Sequence, residues 1–89
     1  ATRNSTFAAL THAFECDVIG RLTALFQRVK DRGLVAQGVD PEALATLLAT
    51  LADGLFVRKA VMPGFDATRE VATLMAVMEA ALAGHIPLP

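Results

Sequence analysis

One stretch limits what this chain can become. Residues 39–62, VDPEALATLLATLADGLFVRKAVM, begin as a helix should begin and then offer water almost nothing. Asp40 supplies a carboxylate that can accept from the free amides of a first helical turn. Pro41 follows at the first helical position, where its missing N–H costs nothing. Val39 and Leu44 have the spacing of a hydrophobic staple, which fixes how the chain enters the helix. At about 100° per residue, Leu44, Leu47, Leu48, Leu51, Ala52 and Leu55 form one broad apolar side, and Ala45, Ala49, Phe56 and Ala60 form a second. The remaining wedge of Thr46, Thr50, Asp53, Gly54 and Val57 is small or weakly polar. A helix apolar nearly all round is covered on more than one side. In a chain of 89 residues the second cover belongs to another molecule or to another part of the same protein.

That length allows one domain. Hydrophobic residues make up 54% of it, which excludes a disordered chain. Yet a domain of this size buries only about 60 to 65% of the surface its unfolded chain exposes, so the apolar excess points to oligomerisation. A net charge of −1 leaves no electrostatic footprint for phosphate backbones, and this segment is not expected to bind DNA by itself. A membrane span needs about 18 consecutive apolar residues, and every run here is interrupted sooner. The opening ATRNSTFAAL lacks the basic region and long apolar core of a signal peptide. A soluble, cytoplasmic protein is the expectation. Cys16 cannot form an internal disulfide alone, and on a helical pattern it reads as a small apolar filler.

From about residue 3 to residue 32 there is no proline, and Phe7, Phe14, Val18, Leu22, Leu25 and Val29 recur at helical intervals, widened by Ile19 and Phe26. This predicts one long helix, with Arg28, Lys30 and Arg32 suited to the negative end of its dipole. Gly33 is a natural C-cap, and Gly33 and Gly38 bracket a short LVAQ link. In the first half of the helix Thr11 and Glu15 fall on the side of Phe14, Val18 and Leu22. Such placed polar atoms among apolar ones suit a ligand pocket; equally, this half could simply emerge from the core, and the same choice holds for His12. After the central helix, Met62, Pro63, Gly64 and Phe65 form a turn, and Asp66 caps a final helix. Its large apolar side, Val71, Leu74, Met75, Met78 and Leu82, reads as core. Its other side begins polar and continues as Ala76, Val77, Ala80 and Ala83, small residues that let a second helix approach closely. Gly84 ends the helix, and the prolines of HIPLP forbid its continuation.

No catalytic constellation emerges. His12 and His85 lie far apart, no second ligand stands at metal spacing, and there is no phosphate loop or nucleophile elbow. Neither a metal nor a cofactor is expected. Asp53 inside the central helix is the sort of residue that meets solvent or a nearby base, with Arg58 and Lys59 the candidates.

The segment RGLVAQGVDPEALATLLATLADGLFVRKAVMPGFDATREVATLMAVMEAAL resembles the C-terminal regulatory domain of the TetR family of bacterial transcriptional regulators. The likeness rests on the glycine-bearing link, the D-P-E helix start, the mid-helix D-G-L, and a last helix of alternating alanines and large aliphatics. It implies an all-α, three-helix antiparallel fragment spanning 1–89, which dimerises through a four-helix bundle of the last two helices from each subunit. The interface so implied comprises Leu47, Thr50, Leu51, Gly54, Thr73, Ala76, Val77 and Ala80. The first helix would help line an effector pocket, with Phe7, Thr11, Phe14, Glu15, Val18 and Phe56 as candidate contacts for a small apolar or aromatic ligand. The family's N-terminal helix-turn-helix is absent from this chain, so the resemblance implies DNA contact only through that missing part.

The leading expectation is therefore an effector-binding and dimerisation domain of a TetR-like regulator, not an enzyme, that acts by biasing two arrangements. A purely structural helical dimerisation module without a ligand is the alternative. A small helical enzyme using Glu15 or Asp53 as a base is a third.

Overall fold

The computed structural model describes residues 3–89; the first two residues of the 1–89 domain, and the part of the signal-peptide reading that rests on them, lie outside it. Three helices follow in order, α1 (Arg3–Asp31), α2 (Pro41–Val61) and α3 (Ala67–Leu82), and no strand occurs among the described residues. The expected all-α class holds. Asp40, extended at φ −80°, accepts from the amide of Glu42 at 3.1 Å, with Pro41 directly after it. Asp66 starts α3 in the same way, accepting from the amide of Arg69 at 3.1 Å. Gly33, just beyond α1, has φ +78°, and Gly84, just beyond α3, has φ +79°. Glycine enters that left-handed region without a Cβ clash, so each stops its helix and reverses the chain.

Helix direction follows from who meets whom. Glu15 lies against Asp53, while Phe26 shares a cluster with Leu44, so residue numbers run oppositely along α1 and α2. Arg58 meets Glu70 at 3.2 Å while Leu44 and Ala45 share that cluster with Met78 and Ala81, so α2 and α3 are also antiparallel. Both outer helices rest on α2, and α1 and α3 bring no Cα atoms within 8 Å of each other. The result is a flat layer, 45 × 36 × 19 Å, with α2 in the middle.

The core gathers at one end of this layer. Phe26, Val35, Val39, Leu44, Ala45, Met78 and Ala81 are buried together, and the staple residues Val39 and Leu44 are both among them. The link between α1 and α2 is a working part of that end. Val35 is almost fully buried, the amide of Ala36 donates to the Leu82 carbonyl at 2.9 Å, and Lys30 Nζ donates to the Val39 carbonyl at 2.9 Å. Ile86 and Leu88 of the C-terminal tail pack on the same cluster.

A side-by-side layer covers each helix along its edges and leaves its two broad faces bare. Several expectations are corrected for that reason. Val71 and Met75, read as core of α3, are about half exposed, and Phe56 and Ala60 on the second side of α2 are exposed. Cys16 is an exposed free thiol rather than a filler. The chain exposes 6516 Å², where a compact monomer of its mass would expose roughly 5,000 Å². Its radius of gyration is 15.3 Å, against about 12 Å for a compact domain of this length.

Candidate functional site

The two broad faces of the layer differ in chemistry. One is marked by three open grooves. Between α2 and α3, a groove of about 240 Å³ is lined by Thr50, Leu51, Gly54, Leu55, Arg58, Glu70, Thr73 and Leu74. Between α1 and α2, one of about 420 Å³ is lined by Cys16, Ile19, Gly20, Thr23, Glu42 and Thr46. Over the first turns of α2, one of about 480 Å³ is lined by Asp40, Glu42, Ala43, Thr46, Leu47, Leu88 and Pro89. At about 100° per residue these positions share a side of the layer, together with Val77 and Ala80 of α3. Small residues dominate it.

Its threonines are less polar than their letters suggest. Thr50 Oγ1 donates to the Thr46 carbonyl at 2.8 Å, Thr73 Oγ1 to the Arg69 carbonyl at 3.2 Å, and Thr23 Oγ1 to the Ile19 carbonyl at 2.7 Å. Each hydroxyl proton is satisfied by its own helix, so a neighbour could cover these residues without stranding a donor. A surface of methyls, a glycine and alanines results, on which another helix can lie close.

The opposite face carries the large side chains. The same helical spacing places Phe7, Leu10, Phe14, Val18 and Leu25 of α1, Leu48 and Leu55 of α2, and Val71 and Met75 of α3 there, with Lys59 the one charge among them. Phe7 is 70% exposed and Phe14 66%. Contiguous apolar area of this extent marks a surface that another element covers.

Of the expected interface residues, the structure gathers Thr50, Leu51, Gly54 and Thr73 around one groove and puts Leu47 beside the tail. Val77 and Ala80 are half-buried at the edge of α3 facing α2, and Ala76 points away, exposed. Of the expected effector residues, Phe7, Thr11, Phe14 and Phe56 are exposed, while Glu15 and Val18 are half-buried. None of the six lines any of these grooves.

The neighbour of Asp53 is corrected. Arg58 is engaged by Glu70 at 3.2 Å, and the group that meets Asp53 is Glu15 of α1. The hydrogen bond to Asp53, then burial, then the Asp53 charge raise the Glu15 carboxyl above its ordinary value of 4.5. Sequence reasoning placed both residues but not their meeting, because only the register between α1 and α2 brings them together. Among the described residues no group of three or more His, Cys, Asp or Glu is placed to hold a metal ion. No helix of the described residues is long and apolar enough to cross a membrane.

Comparison with known proteins gives one match. A family model described as the C-terminal region of the BetI-type transcriptional repressors, within the TetR group, matches residues 1–85. No curated protein and no solved structure matches the chain.

Proposed function

Because this chain belongs to the family of BetI-type, TetR-group repressor C-terminal domains, we propose that it is the effector-binding and dimerisation domain of a cytoplasmic transcriptional regulator. It is a regulatory domain, not a catalyst. Two copies pair through the small-residue face of α2 and α3, and a small apolar or aromatic molecule binds against the first half of α1. Occupancy then biases the spacing of the pair and so the engagement of DNA by a helix-turn-helix elsewhere in the parent protein.

The observation that carries this reading is the groove between α2 and α3, whose threonine hydroxyls are already bonded within their own helices. A face with satisfied polar groups, a glycine and alanines is suited to a second α2 and α3 in a symmetric, self-complementary contact. The roughly 1,500 Å² by which the exposed surface exceeds that of a compact monomer matches the area that a pairing subunit and further helices of the parent would cover.

A purely structural dimerisation module is the second reading, favoured by the absence of the six effector candidates from the grooves. Thermal shift against a panel of small apolar and aromatic compounds separates the two. A compound that binds the folded state raises the melting temperature. A panel without any such compound would favour the structural module.

A further inference from the structure

Apolar packing between α1 and α2 stops at one place. Beyond Glu15 the α2-facing stripe of α1 runs through Ile19, Leu22, Phe26 and Val29, all packed in or against the core, while residues 4–14 are exposed. On α2 the matching limit is Asp53, with Ala45 and Ala49 buried before it and residues 56–62 exposed after it. Two carboxyl groups from different helices therefore face each other where the helices part.

No cation neutralises them. The ion pairs of the described residues join Arg58 to Glu70 at 3.2 Å and Arg21 to Asp17 at 3.0 Å. His12 and Cys16 of α1 contact each other at 3.6 Å on the side toward the small-residue face. Lys59 of α2 lies on the large-residue side, and α3 does not reach α1.

We propose that Glu15 and Asp53 form a proton-linked clasp that sets how far the first half of α1 stands from the second half of α2. With one proton shared between them, taken from solvent, the two carboxyls hydrogen-bond and hold the arms together. With both ionised, repulsion lets the arms separate. The raised titration of Glu15 has the direction this requires. A carboxyl whose folded-state value lies above its unfolded value binds the proton more readily when folded, so stability falls as pH rises through the window above 4.5. Phe7, Thr11, Phe14 and Phe56 all lie on the arms beyond the clasp. On the effector reading given above, the clasp therefore governs the gap an effector enters; the conformational effect itself does not rest on that reading.

Amide proton and nitrogen shifts of the whole chain, followed between about pH 4 and pH 8 to bracket the linkage window, test this. The amides of residues 7–14 and 56–61 should move together with one midpoint above the ordinary glutamate value. That raised midpoint should vanish in both Glu15→Gln and Asp53→Asn and survive in His12→Gln. Both amide variants should also melt higher than the unaltered chain at the alkaline end, by a margin that shrinks toward the acid end. A Glu15 midpoint at its ordinary value, or arm amides whose raised midpoint persists in both variants, would overturn the clasp. No effector enters this experiment, so a compound panel without binders leaves its outcome unchanged.

Discussion

Gly54 separates the packing of one chain from the packing between two. It stands in the middle of α2, where glycine costs helix stability, and a Cβ built on it meets nothing within 4 Å in the chain itself. Considered alone, Gly54→Ala should stabilise the fold by about 0.8–1.0 kcal/mol, and Gly54→Leu by nearly as much, since leucine is close to alanine in helix propensity. If the groove it shares with Thr50 and Thr73 receives a second copy, leucine there overpacks the contact. Overpacking costs about 1–3 kcal/mol at one site, and two-fold symmetry repeats the site, giving about 2–6 kcal/mol against association. That is a dimer weaker by roughly 30-fold to 10⁴-fold. Gly20 on α1 is the comparator, because a Cβ there also meets nothing within 4 Å and it lies outside the α2 and α3 groove. Sedimentation equilibrium gives the dimer constant, and urea unfolding gives the helix term. A Gly54→Leu chain that associates as tightly as Gly20→Leu would refute the placement of the interface.

Two further outcomes follow from the packed end of the layer. Leu44 is the one large side chain fully buried, so Leu44→Ala should cost about 3–5 kcal/mol, a large share of the stability of a domain this size; urea unfolding measures it, and a cost under about 1 kcal/mol would mean the core lies elsewhere. Gly84→Ala meets both a positive φ of 79° and the Ala36 Cβ at 3.2 Å, and should cost about 1–2 kcal/mol for the backbone alone, with the contact added. Gly33→Ala, at φ 78° with nothing close, should cost only the backbone part. Equal losses in paired melting curves would argue against the close approach of link and tail.

The helices were legible because their punctuation is chemical. Asp40 with Pro41, Asp66, Gly33 and Gly84 each perform the cap or stop that their residue type predicts, and the doubly apolar α2 does lie between two neighbours. What periodicity could not tell was which apolar residues this chain covers itself. Val71 and Met75 share a helical stripe with Met78, yet Met78 alone is buried, because the layer closes only at the end where link and tail arrive. The burial of Val35, Ile86 and Leu88 went unseen in segments whose glycines and prolines read as loop. The threonines of the small-residue face were read as weakly polar, and only their bonds to carbonyls four residues back reveal how apolar that face is. The meeting of Glu15 and Asp53 depends on the register between two helices, which no local pattern encodes.

Every part of this account leans on a second copy lying against α2 and α3. The mass of the unaltered chain in solution at micromolar concentration, by size-exclusion chromatography with light scattering, examines that most directly. The expected value is twice the 9.4 kDa of one chain. A species of one chain's mass, with its helical circular dichroism and cooperative melting intact, would contradict it.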